Sequence, residues 1–169
     1  MTLEHPVAVR APRSLAEAAE AHLDDVLGYL LYLTRDRETA EDLTSATFEK
    51  ALRRWGRFDA TRGSARTWLL GIARTTALDW FRAETRRRKR EEAAALPERV
   101  DEAFAEGLSP ALEAALAALS AGEREVLALR IVLELDGDAT ARVLGISPTA
   151  VSTRLSRALK RLEERVNEE

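Results

Sequence analysis

The chain has 169 residues, no cysteine, and only two histidines, His5 and His22, so disulfides, thiolate catalysis and cysteine-based zinc sites are excluded. Lysine and arginine number 26 against 29 aspartate and glutamate, a formal net charge of −3 that as a bare total argues against nucleic acid. Hydrophobic residues at 46 % permit a core, while 8 glycines and 5 prolines among abundant Ala, Leu, Arg and Glu favour helices.

No run approaches the roughly 18 apolar residues of a membrane span, and Met1 to Arg13 holds no apolar signal core. A cytoplasmic protein without membrane insertion, metal site or cofactor is therefore expected. The charge is also unevenly placed: residues 1–90 carry a net +4, residues 91–110 a net −5 and residues 111–169 a net −2. With Pro97, Gly107, Ser109 and Pro110, the middle stretch reads as an acidic linker between two helical blocks.

Apolar spacing from Leu15 to Leu33 predicts a first helix, with Ser14 as N-cap and Glu17 completing a capping box. Its stripe includes Ala18, Leu23, Val26 and Leu30. Glu38 to Trp55 predicts a second helix, with Phe48, Leu52 and Trp55 on one side, and Trp55 as a structural ring. Gly56, Asp59 and Gly63 mark a loop. Ala65 to Arg90 predicts one long helix or two shorter ones, with Trp68, Leu69, Ile72, Ala73, Thr76 and Trp80 as its apolar face. Its end holds six basic residues within eleven, more than a helix dipole needs, directly after Trp80 and Phe81. Rings beside basic residues suit single-stranded nucleic acid, where bases stack and arginines meet phosphates.

Ala111 to Leu119 predicts a short helix ending at Ser120, and Gly122 to Leu133 another. Asp136 is placed to cap a third, Gly145 to end it in the left-handed conformation, and Ser147 with Pro148 to start a fourth, running to about Val166. Two helices joined by about three residues form a helix-turn-helix. Ala141 is small where they cross, and Ile146 and Val151 fill the wedge. Val151, Leu155, Ala158 and Leu162 form the buried face of the last helix; Arg154, Arg157 and Arg161 share another. No acidic residue occurs from Gly145 through Arg161, a one-sign face suited to duplex DNA.

These residues resemble the bacterial extracytoplasmic-function (ECF) sigma factors of the sigma-70 superfamily, over roughly Leu15–Arg90 and Pro110–Val166. The resemblance implies an all-α fold of two small helical domains, residues 14–90 and 110–167, joined by the acidic linker 91–109, with the helix-turn-helix in the second. It implies a non-enzymatic factor that gives RNA polymerase core its promoter recognition. Ala40-Glu41-Asp42-Leu43 resembles the helix that docks on the polymerase, with Glu41, Asp42, Ser45, Phe48 and Glu49 as contacts. Ala65 to Arg74 and Asp79 to Arg82 resemble the segment that melts and reads the −10 element, assigning Trp68, Arg74, Thr75, Asp79, Trp80, Arg82, Arg86 and Arg87. Leu119-Ser120, Glu123 to Arg130 and the helix-turn-helix resemble the −35 reader, assigning Thr149, Ser152, Thr153, Arg154, Ser156, Arg157 and Arg161. The implied partners are the polymerase core (beta-prime clamp and beta flap), promoter DNA and an anti-sigma factor.

The chain departs from the family pattern at Ser45-Ala46, Thr75, Gly137 and Ser152. Gly137 is expected to weaken its helix by about 1 kcal/mol against alanine. Two other classes fit the helix-turn-helix: a regulator acting without polymerase, and a sigma-like protein acting mainly through an anti-sigma partner.

Overall fold

The first helix, α1 (Leu15–Thr34), starts where the Ser14 hydroxyl accepts the Glu17 N–H at 3.2 Å. The expected capping box is half made: the Glu17 carboxylate accepts from Arg13 N–H at 2.8 Å, one residue upstream of the cap. The chain leaves α1 through Arg35, which sits at φ 54, and its N–H donates to the Leu31 carbonyl. Asp36 then caps α2 (Arg37–Arg54) by accepting from Thr39 N–H at 2.8 Å. A short 3-10 turn, Trp55–Arg57, and a loop lead to α3 (Ala65–Glu91), a single helix of 27 residues. This computed structural model describes residues 11–91 and 110–167; the acidic linker, but for Glu91 at the end of α3, lies outside the described residues.

The apolar residues of α3 do not form one stripe, because the helix is covered from two sides. It packs on α1 and α2, and also on a helix of the second domain. Leu69, Leu70, Ile72, Ala73 and Ala77 are all buried as a result. By contrast, Leu23 and Leu52, expected in the α1 and α2 stripes, are 45 % and 68 % exposed, and no described contact accounts for them.

The second domain begins with α4 (Pro110–Ala117) and α5 (Ala121–Leu127). A full capping box sits between them: Glu123 N–H donates to Ser120 Oγ at 3.3 Å, and Ser120 N–H donates to Glu123 Oε2 at 2.9 Å. Ser120 is thus the start of α5 as well as the end of the preceding segment. Beyond Leu127 the backbone widens into a π turn, Ala128–Val132, instead of continuing as α-helix to Leu133. The widened turn leaves Ile131 and Val132 exposed while Leu129 is fully buried.

The helix-turn-helix forms as expected from α6 (Gly137–Leu144) and α7 (Pro148–Asn167). Asp136 Oδ1 accepts from Ala139 N–H at 2.7 Å, Gly145 takes φ 65, and Ser147 Oγ accepts from Ala150 N–H at 3.2 Å. Val151 is buried in the wedge, with Ile146 half-buried beside it. Gly137 is the first residue of α6, not an interior one. Its amide precedes the intrahelical ladder, so the penalty expected of an interior glycine does not apply.

One buried cluster runs through both domains, joining Val26, Leu30, Leu69 and Ala73 to Val126, Leu129, Leu135, Val143 and Val151. A smaller cluster, Leu119, Leu127 and Ala158, belongs to the second domain alone. Within the shared core, Thr140 is fully buried and its hydroxyl has no hydrogen-bond partner among the described residues. Thr140→Val keeps the shape and removes the orphan group, and should raise unfolding stability by about 1 kcal/mol. Denaturant titration checks this; a lowered midpoint would show the hydroxyl to be satisfied.

Candidate nucleic-acid interface

On α7 the structure brings Thr149, Ser152, Thr153, Ser156 and Arg157 onto one exposed face. The Ser152 and Thr153 hydroxyls donate to the carbonyls of Pro148 and Thr149, at 3.2 and 3.0 Å, which holds their side chains against the helix. Arg157 is exposed and forms no salt bridge with a described residue.

The other two arginines of this set are placed differently. Arg161 Nη1 donates to Glu123 Oε2 at 3.0 Å, and the Glu123 side chain is only 8 % exposed. The Ser120 N–H, foremost, and then the nearby guanidiniums hold the Glu123 carboxyl below its ordinary range, so it stays charged. The Arg154 guanidinium lies over Gly122, where an added Cβ would meet it at 3.2 Å. The acid missing from the local sequence of α7 is therefore supplied by α5. Arg161 ties α7 to α5, Arg154 lies beside Gly122, and Arg157 is exposed with no salt bridge to a described residue.

In the first domain, Trp68 and Thr75 line a cavity of about 340 Å³ together with Phe58 and the arginines 54, 57 and 62. Trp55 stacks on Phe58 at 5.0 Å and meets the edge of Trp68 at 5.7 Å, so the ring expected to be structural props the ring expected to meet DNA. Sequence reasoning passed over Arg54, Arg57 and Arg62; their density within ten residues was the available signal. Farther along α3, Asp79 lies 3.3 Å from Arg82 and 3.9 Å from Lys50, and Trp80 packs edge-on against Phe81. Arg87 bonds Glu84 and approaches Glu91, and Arg88 approaches Glu84. Arg86, Lys89 and Arg90 form no salt bridge with a described residue.

Arg74 does not join this face. Its Nε and Nη2 donate to Glu125 of α5 at 3.0 and 3.3 Å, and the Tyr29 hydroxyl donates to the same carboxylate at 3.1 Å. Burial, followed by the adjacent carboxylate, pushes the Tyr29 hydroxyl well above its ordinary range, which keeps it a proton donor. Arg66, held within the first domain by Asp25 at 2.6 Å, adds a second tie between the domains by donating to the Leu133 carbonyl, also at 2.6 Å. Tyr32 donates to the Arg124 carbonyl at 2.9 Å.

On α2, Glu41, Asp42, Ser45 and Glu49 are exposed along one side, with Arg37 bonded to Glu41 at 2.8 Å. Phe48 is half-buried and packs on the core. Among the described residues there is no acidic or histidine cluster able to hold a metal, and no helix long and apolar enough to cross a membrane.

Comparison with known proteins agrees with this layout. Sigma-70 region 2 matches residues 18–87, and Sigma-70, region 4 matches residues 109–162. SigC of Mycobacterium tuberculosis, an ECF RNA polymerase sigma factor, is 36 % identical over 150 residues, covering 86 % of this chain and 80 % of SigC. The ECF factor BldN of Streptomyces coelicolor is 34 % identical over 149 residues, 85 % of this chain but only 56 % of BldN. Among solved structures, the sigma factor RpoE in complex with the anti-sigma factor NepR from Bartonella quintana shares the fold at a TM-score of 0.75 and 22 % identity, over 90 % of this chain and 96 % of that one. CnrH in complex with the cytosolic domain of CnrY gives 0.67 and 22 %, over 93 % and 90 %. With two sigma-70 regions in order along one helical chain, and relatives above 30 % identity across most of its length, the chain belongs to the ECF group of RNA polymerase sigma factors, non-enzymatic initiation factors that direct the polymerase to promoters.

Proposed function

We propose that residues 110–167 read the −35 duplex through α7 and that residues 14–90 hold melted −10 DNA along α3, with residues 91–109 as the link. The observation that carries this reading is the open face of α7, where Thr149, Ser152, Thr153, Ser156 and Arg157 stand together without an acidic neighbour on the helix. Hydroxyls and one free guanidinium near the start of a recognition helix suit base edges and phosphates in the major groove. Arg154 and Arg161 act beside them as supports that contact the backbone once α7 is in the groove. In the first domain, Trp68 and Thr75 meet an unstacked base, Asp79, Trp80 and Arg82 continue that path, and Arg86 and Arg87 follow the phosphates. Glu41, Asp42, Ser45 and Glu49 face the polymerase core, and Phe48 fixes the helix that presents them.

The docked arrangement is a resting form in this scheme. The two promoter elements lie about 25 base pairs apart, about 85 Å at 3.4 Å per base pair. A compact chain of this length has a radius of gyration of only about 15 Å. Both elements are therefore engaged together only after the domains part. The 18 residues from 92 to 109 span at most about 60 Å when extended, which with the domains' own widths matches the distance. Parting also frees Arg74 from Glu125 for the −10 strand. The chain acts in the cytoplasm, where the polymerase is, and an anti-sigma partner belongs to the same proposal; the RpoE structure named above was solved with such a protein.

Transcription in vitro with core polymerase and a promoter library tests the reading. Directed initiation supports it; a chain that shifts duplex DNA alone and leaves polymerase unaffected would instead be a conventional regulator. Arg157→Ala should weaken −35 binding by about 1–3 kcal/mol, measured as promoter affinity of the holoenzyme, with relaxed selectivity if the guanidinium reads a base. Asp42→Arg places a cation in the acidic face of α2 and should lower core binding at least about tenfold, by like-charge repulsion at a complementary surface. An unchanged dissociation constant would remove α2 from the docking interface.

A further inference from the structure

Across the seam between the domains, Arg74 meets Glu125 and Arg66 donates to the Leu133 carbonyl. At the cavity beside Trp68, however, Arg54, Arg57 and Arg62 of the first domain are joined by Arg142 of α6, and none of the four forms a salt bridge with a described residue. The approach is close: a Cβ added to Gly63 would lie 3.0 Å from the Arg142 guanidinium. The single acid in the wall, Asp59, has a carboxylate oxygen already accepting from the Thr61 N–H and hydroxyl. Docking thus adds a fourth positive charge to a rim that already holds three, which opposes closure unless an anion lies between them.

We propose that this cavity binds a free nucleoside diphosphate or triphosphate across the two domains and so stabilises the docked form. The volume, about 340 Å³, is in the range of small-ligand sites. Guanidiniums grip phosphate oxygens in bidentate fashion, and four of them against one carboxylate suit a polyphosphate carrying about three negative charges. Trp68 and Phe58, both half-buried in the same wall, provide the apolar surface for a base. Because Arg142 comes from the helix-turn-helix domain, the ligand binds the docked form more tightly than the parted form, and by linkage it holds the domains together. The inference rests on the assignment of Trp68 and Thr75 to the melted strand, since nucleotide and DNA then compete for one cavity.

The test uses the full chain with GDP as probe, calorimetry for affinity and hydrogen exchange over α5 and α3 for docking. The expected result is that GDP binds, slows exchange at the seam, and binds about tenfold more weakly to Arg142→Ala, with no slowing in that variant. Arg142 is exposed and lies outside the proposed DNA-reading and polymerase-docking sets, so the variant folds and still directs transcription with core polymerase. Equal GDP affinity in the wild type and in Arg142→Ala would confine the site to the first domain and overturn the proposal. Absence of binding at millimolar GDP, or inorganic pyrophosphate binding as tightly as GDP, would overturn the nucleotide assignment. None of these failures touches the sigma-factor reading, which stands or falls on transcription by the wild-type chain.

Discussion

Replacing Glu125 with alanine parts the two domains. Its carboxylate takes three hydrogen bonds, two from Arg74 and one from Tyr29, at a place where Arg74 is 23 % and Glu125 12 % exposed in their side chains. Without it, a mostly buried guanidinium and a buried phenol lose their acceptor while the apolar surface around them stays closed. Removing one partner of a buried pair leaves an uncompensated charge, and here the expected loss of docking free energy is about 2–4 kcal/mol. The first domain keeps its own three-helix packing, so the loss is local. Hydrogen exchange should speed up along α5 and the facing side of α3, with α1 and α2 protected as before. Glu125→Gln keeps an acceptor for Tyr29 and removes the charge, and should fall between the wild type and alanine. Unchanged exchange in the alanine variant would show that the apolar seam alone holds the domains. Free promoter DNA should bind the alanine variant more tightly than the wild type, since Arg74 is released in every molecule.

The second large effect lies at the end of α3. Arg87 and Arg88 also pair with Glu84 and Glu91 at the surface, whereas Arg86, Lys89 and Arg90 form no salt bridge with a described residue and can be neutralised without disturbing those pairs. Changing these three to glutamine should lower open-complex formation by the holoenzyme and flatten its salt dependence. Each lost phosphate contact removes about 0.7 from the slope of log affinity against log salt on a single strand, so three contacts remove about 2. At low salt this amounts to a deficit on the order of a hundredfold, and it shrinks as salt rises. An unaltered slope would make the run a solvated helix end.

The helices of each domain were legible because their signals are local. Ser14, Asp136, Gly145 and Ser147 act within four residues, and each performs the capping or turning role its type suggests. The features that were not legible are of another kind. The one-sign face of α7 looked open because its acid, Glu123, lies thirty-eight residues from Arg161 in sequence. Arg74 looked available for DNA because its partner lies fifty-one residues away. Apolar periodicity along α3 stopped at a single face because the sequence does not show that α6 covers another. The π turn after Leu127 was invisible, since a run of apolar residues continues through it without a glycine or proline. In the candidate site, Trp68, Thr75 and the start of α7 could be proposed from sequence, whereas the convergence of Arg142 with the loop arginines needed the docked domains.

The seam at Glu125 also acts as a thermodynamic rheostat. A docking free energy of about 2.8 kcal/mol leaves about one free chain in a hundred open, and lowers apparent affinity for anything that needs the open form by the same factor. On the reading proposed above, the copy number at which the factor begins to compete for polymerase is then set partly by Tyr29, Arg74 and Glu125, and promoter choice by α7. Substitutions at the seam can shift the dose threshold of a whole regulon without changing its membership.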